Sequence, residues 1–249
     1  MASPRKILIL GGTTEASALA RLVAGDARLD VVLSLAGRTR APVLPPVPHR
    51  IGGFGGIDGL AGWLRSHAIE AVVDATHPFA AQMTRHAVAA CAAAGVALLR
   101  LDRPAWRAGA GDDWTEVSDM AMAAEALGRA PRRVLLTIGQ RDLAAFTRAP
   151  WHDYLVRSVD LPDPASLPPS ARFIAARGPF DEACERRLLR AERIAVIVTK
   201  NSGGSATQAK LAAARALGLP VVMVARPPTP DAATVADETA AHAWLLRGL

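Results

Sequence analysis

Short runs of valine, isoleucine and leucine alternate with alanine-rich helical segments along almost the whole chain. This alternation limits the fold more than any other feature. Strands are predicted over 6–10, 31–35, 49–51, 71–74 and 96–101, and again over 133–138, 154–157, 172–175, 194–199 and 221–225. Helices are predicted over 14–24, 57–67, 79–94, 119–127, 140–147, 180–191, 205–217 and 234–246. The strand runs are continuously apolar, so both faces of each strand are expected to be covered. Buried strands alternating with helices imply parallel α/β sheets.

The chain has 249 residues, enough for two compact units and for a core that needs no metal or disulfide staple. Aromatics make up only 4%, so aliphatic residues must fill that core. The two cysteines, Cys91 and Cys184, are far apart and lie in helical patterns. A disulfide scaffold and a cysteine-rich zinc site are therefore excluded, and no metal site is expected. The longest apolar run, over 87–99, is broken by Gly95 and falls short of a membrane span. No signal peptide is read at the amino terminus, and a cytoplasmic, non-membrane protein is expected. The net charge is +6 and nearly all arginine; the lysines are Lys6, Lys200 and Lys210. These arginines are scattered rather than clustered, which points to a solvated surface first, an acidic small molecule second and nucleic acid third.

An internal repeat runs through the chain. Residues 74–104 read as strand end, polar loop, alanine-rich helix, Gly95, strand and Arg103-Pro104. Residues 199–227 repeat that order through Gly218 to Arg226-Pro227. Two related halves, joined near 102–131, account for it. The polar, glycine-containing stretch 102–113 reads as a linker or as a loop able to close over a ligand.

Ligands of open parallel sheets sit outside the carboxyl ends of the strands, so the loops there carry the chemistry. The first strand ends in Gly11-Gly12-Thr13-Thr14, where glycines and a helix amino terminus suit a pyrophosphate. Because the glycines are adjacent, a plain strand–helix turn competes with that reading. The second strand ends at Ser34, followed by Gly37-Arg38-Thr39, with no acidic residue to meet a ribose 2′-hydroxyl. Ser34, Arg38 and Thr39 suit a 2′-phosphate, favouring NADP(H) over NAD(H). Gly52-Gly53-Phe54-Gly55 forms either a flexible connection or a backbone wall for a flat ring. Thr76-His77-Pro78 follows a buried strand. That placement favours a site over a structural histidine, with His77 pairing an acidic group or donating a proton.

The second half puts Gly139 and Arg141, then Arg177, then Lys200-Asn201-Ser202-Gly203 at matching strand ends. Each turn joins a cation to a glycine and a helix start, an arrangement suited to anions. No nucleophile elbow, carboxylate pair or Walker lysine is present, so hydrolysis and phosphoryl transfer have no visible machinery.

The segments ILILGGTTEA, SLAGRT, RIGGFGG, VVDATHPFA, LLTIGQRDL, ARGPF and VTKNSGG run in order over 7–227. In these the chain resembles the precorrin-6A reductase, or cobalt-precorrin-6A reductase, family of cobalamin biosynthesis. The resemblance implies NADPH-dependent reduction of one ring double bond of precorrin-6A to give precorrin-6B. It also implies two Rossmann-like parallel-sheet domains with their terminal strands exchanged, for which the runs over 96–101 and 221–225 are the candidates. The domains expected are 1–102 for coenzyme, 103–130 as linker and 131–249 for tetrapyrrole. Gly11, Gly12, Thr13, Thr14, Ser34, Gly37, Arg38, Thr39, Gly52, Gly53, Phe54 and Gly55 would then hold the coenzyme. Thr76, His77, Gly139, Arg141, Arg177, Lys200, Asn201, Ser202 and Gly203 would meet the substrate carboxylates. The proton would come from His77 or from a water. The competing reading from another class is a non-catalytic NADP-binding sensor.

Overall fold

The computed structural model describes residues 3–37 and 44–247. They form two compact units. The first comprises residues 1–104 and 228–249, the second 105–227. The first contains β1 (Arg5–Leu10), α1 (Thr14–Val23), β2 (Leu29–Leu35), β3 (His49–Ile51), α2 (Gly56–Ser66), β4 (Ala71–Asp74), α3 (Ala81–Ala94) and β5 (Ala97–Leu101). The second contains β6 (Trp114–Val117), α4 (Met120–Ala126), β7 (Arg133–Thr137), a 3-10 helix (Gln140–Arg148), β8 (Asp153–Ser158), β9 (Ala171–Ala175), α5 (Glu182–Ala191), β10 (Val196–Lys200), α6 (Ala209–Leu217) and β11 (Val221–Val224). The chain then returns to the first unit with β12 (Thr234–Val235) and α7 (Glu238–Leu245).

Every strand pairing is parallel. The first sheet runs β12-β5-β4-β1-β2-β3 and the second β6-β11-β10-β7-β8-β9. The two orders are the same once β1–β5 are matched to β7–β11, as the repeat requires. In each sheet the sixth, edge strand comes from the other half of the sequence. The exchanged strands are β6 and β12, not the runs over 96–101 and 221–225, whose strands β5 and β11 stay with their own halves. The expected linker 103–130 accordingly holds β6 and α4, and the expected second domain loses 228–249 to the first unit. Both exchanged strands are short and partly exposed, which is why no apolar run marks them. Residues 234–235, predicted as the start of a helix, are β12 instead, and α7 begins behind the Asp237 cap.

Coverage of both faces is plain on β1. Ile7 and Ile9 pack with Leu19 and Val23 of α1 and with Ala241 and Leu245 of α7. Leu8 and Leu10 pack on the opposite face with Leu60 and Leu64 of α2 and Ala87 and Ala90 of α3. Alternate side chains of a strand point to opposite faces, so a doubly covered strand must be apolar throughout. In the second unit Leu135, Leu155, Ile197 and Met223 meet Leu189 and Leu211 in the same way. Each such fully buried side chain contributes roughly 1.5–3 kcal/mol. The layers fix the strands' carboxyl ends, where the functional loops emerge.

Candidate active site

In the first unit the loops after β1, β2, β3 and β4 emerge from neighbouring strands and are tied together by the backbone. The Gly11 amide donates to the Ser34 carbonyl at 2.9 Å, and that of Gly52 to the Leu35 carbonyl at 2.9 Å. A Cβ on Gly11 would lie 2.6 Å from Leu33 Cδ1, so a larger residue there requires the Leu33 side chain to shift. Gly12, at φ +114°, turns the chain into α1. Thr13 caps that helix, its hydroxyl accepting from the Ala16 amide at 3.1 Å and donating to the Ala75 carbonyl at 2.8 Å. The hydroxyl hydrogen expected to serve a phosphate is therefore held by the protein. Thr14 is exposed at the helix start. Glu15 beside it is paired with Arg103, which removes a repulsive charge from an amino terminus that suits anions.

At the end of β2, Ser34 is buried and accepts from Arg50 Nη1 at 2.8 Å. Arg50, on β3, also donates to the carbonyls of Gly52 at 3.0 Å and Gly53 at 2.9 Å. Its guanidinium lies 3.9 Å from the centroid of the Phe54 ring. Gly55 and Gly56 follow with φ of +83° and +91°, leading into α2. Gly37 turns at φ +70°, and a Cβ there would come 3.1 Å from Ile51 Cγ2. Arg38 and Thr39 lie outside the described residues. Arg50 was not among the expected site residues. The signal in the sequence was its place directly before the glycine turn.

Asp74 ends β4 and is buried. One carboxylate oxygen accepts from the Thr76 amide at 3.1 Å and the Thr76 hydroxyl at 2.6 Å, and the other from the Thr84 hydroxyl at 2.7 Å. Thr76 therefore shapes the turn with its hydroxyl hydrogen. Burial, followed by the Asp74 charge, pushes the nearby Cys91 thiol up to about 12, which keeps it out of redox chemistry. His77 Nδ1 accepts from the Phe79 amide at 3.2 Å. The neutral ring therefore carries its hydrogen on Nε2. Pro78 lies in the turn before α3.

In the second unit, side chains join the loops. Lys200 Nζ, ending β10, donates to Asp142 Oδ2 at 2.5 Å, joining the loops after β10 and β7. Lys200, expected to meet a substrate carboxylate, thus already has a protein carboxylate. Asn201 is buried; its side-chain oxygen accepts from the Trp106 amide at 2.8 Å and its amide nitrogen donates to the Trp106 carbonyl at 2.9 Å. Both ends of that side chain hold the chain where it enters the unit. Arg226, which ends the repeat, donates to the carbonyls of Asn201 at 2.9 Å and Ser202 at 3.2 Å. Gly203 and Gly204 then turn at φ +66° and +76°. The loop after β9 closes against this segment, with the Phe180 amide donating to the Ala206 carbonyl at 3.2 Å. Gly178 is required there, because a Cβ would lie 2.8 Å from the same oxygen. Arg141 and Arg177 are exposed, and Gly139 opens the 3-10 helix at φ +81°.

Beneath these loops lies a buried charged cluster. Arg157 of β8 makes a two-point pair with Glu185 of α5, with Nη2 3.0 Å from Oε2, and lies 4.2 Å from the Phe180 ring centroid. Lys210 of α6 is 2% exposed, donates to the Thr207 carbonyl at 2.8 Å and stands 4.8 Å from the Trp106 ring centroid. Burial, with the Arg157 charge adding to it, lowers its pKa to about 7, and Glu185 opposes the shift.

Among the described residues no group of histidine, cysteine and acidic side chains could hold a metal ion. No helix there is long and apolar enough to cross a membrane. Two doubly covered parallel sheets with glycine-bearing and cationic turns at their strand ends define a Rossmann-like α/β protein. The model of the precorrin-6x reductase family CbiJ/CobK matches residues 6–246, and the chain belongs to that family of cobalamin-biosynthesis oxidoreductases. Precorrin-6A reductase of Rhodobacter capsulatus is 51% identical over 240 residues, covering 96% of this chain and 95% of its own. Cobalt-precorrin-6A reductase of Priestia megaterium is 33% identical over 234 residues, covering 89% and 90%. A solved structure of CobK precorrin-6A reductase matches with a TM-score of 0.92 at 50% identity, covering 98% of this chain and all of that one.

Proposed function

We propose that this chain reduces one ring double bond of precorrin-6A with NADPH, giving precorrin-6B, and that the first unit takes the coenzyme and the second the tetrapyrrole. The observation that carries the division is the contrast between the strand-end turns: glycines and main-chain amides in one unit, exposed arginines in the other. The donor set of the first unit fits a dinucleotide. Gly11 and Gly12 leave the start of α1 without side-chain bulk, Glu15 is neutralised by Arg103, and no acid stands at the end of β2.

When bound, NADPH supplies the hydride. The protein aligns the ring with it, neutralises the substrate's carboxylates and manages one proton. Arg141 and Arg177 receive carboxylates, with charge-assisted hydrogen bonds worth roughly 1.5–3 kcal/mol each. Lys200 contributes less, because Asp142 competes for it. Asp74 and Thr84 hold the turn that carries His77, and its Nε2–H serves a substrate carboxylate or the water that delivers the proton.

The test is anaerobic oxidation of NADPH by the purified protein with and without precorrin-6A. Oxidation stoichiometric with added precorrin-6A is expected. NADPH binding with no precorrin-dependent oxidation would instead support a coenzyme sensor.

A further inference from the structure

The two sheets share one strand order, so their registers can be laid over one another. Leu10 pairs Asp74 as Thr137 pairs Thr199. Ser34 then corresponds to Arg157, and Arg50, its neighbour on β3, to Ile174 on β9. At this edge each unit holds one guanidinium over a phenylalanine face, Arg50 on Phe54 and Arg157 on Phe180. In the second unit the guanidinium is neutralised by Glu185. In the first, Arg50 has no carboxylate within ion-pair distance among the described residues, and only a serine hydroxyl and two glycine carbonyls receive its hydrogens.

We propose that Arg50 recognises the 2′-phosphate of the coenzyme and so determines its preference for NADPH over NADH. This rests on the coenzyme reading given above. The residue beside the end of β2 is the one that meets the substituent on the ribose 2′ carbon in a sheet of this order. Of the five N–H donors of Arg50, three are used, two on Nη1 and one on Nη2. The Nε–H and the second Nη2–H remain. Both can donate to phosphate oxygens, the charge-assisted contact that a guanidinium favours. Ser34, Gly52, Gly53 and Phe54 fix the plane of the group, so little side-chain freedom is lost when the anion binds. Burial already lowers the pKa of Arg50, as expected for a cation withdrawn from water without an internal counter-ion.

The experiment measures dissociation constants for NADPH, NADH, 2′-AMP and 5′-AMP with wild type, Arg50→Met and Arg50→Lys. The wild type should prefer NADPH to NADH and 2′-AMP to 5′-AMP. Arg50→Met should lower both preferences by about tenfold or more, the loss of one charge-assisted fork, while leaving NADH affinity within about threefold. Arg50→Lys keeps the charge without the fork and should lose part of the preference. It also carries the test should the methionine variant not fold. Equal weakening of NADPH and NADH would show that Arg50 only shapes its turn, and would overturn the proposal. A wild type that binds NADPH and NADH equally, or neither, would overturn the coenzyme reading itself.

Discussion

At the same edge, the two sheets solve the same electrostatic problem in opposite ways. Arg157 and Glu185 form a closed pair, 7% and 2% exposed, inside the second unit. Arg50 keeps part of its donor set open at the same edge of the first. The loops differ similarly. In the first unit glycine geometry and main-chain hydrogen bonds shape them, with Arg50 and Asp74 holding the turns after β3 and β4. In the second, Lys200–Asp142, Asn201–Trp106 and Arg226 shape them, and the arginines that remain exposed point the chemistry toward anions. One architecture has thus been given two kinds of ligand surface by changing where its charges are neutralised.

Removing the closed pair should have the largest effect. Glu185→Ala leaves Arg157 buried without a counter-ion, and about 3–5 kcal/mol should be lost in chemical denaturation. A loss no larger than that of an exposed ion pair would mean that water reaches Arg157, and the contrast with Arg50 would disappear. Lys210 sharpens the comparison through pH. Its pKa is lowered in the folded protein, from 10.5 to about 7, so between those values the unfolded chain binds one more proton than the folded one. Stability should therefore rise with pH across this window, by about 1.4 kcal/mol per pH unit from this group, and that gain is absent below pH 7. Lys210→Met should remove that slope in denaturation measured from pH 7 to 10. An unchanged slope would place the titration elsewhere.

Much of this was legible in the sequence. Continuous apolar runs marked the buried parallel strands, because a doubly covered strand has no polar face to hide. Glycines beside Thr13, Gly52 and Gly203 marked the strand-end turns. What remained hidden depended on partners distant in the chain. That Trp106, 95 positions away, takes both ends of the Asn201 side chain leaves no trace in the sequence. Lys200 reads as an open cation until Asp142 meets it. The exchange of β6 and β12 could be anticipated only from the family resemblance, and its strands were misassigned. A two-residue edge strand such as Thr234–Val235 has too little burial to leave a periodic signature. Nothing in one dimension shows that Arg50 has no carboxylate within ion-pair distance among the described residues.

The division of labour between the sheets is tested most directly by separate equilibrium binding of NADPH and of precorrin-6A to the wild type and to the Arg141→Ala/Arg177→Ala double variant. Precorrin-6A affinity should fall by about tenfold or more while NADPH affinity stays within about twofold. Equal loss for both molecules, or loss for NADPH alone, would contradict it.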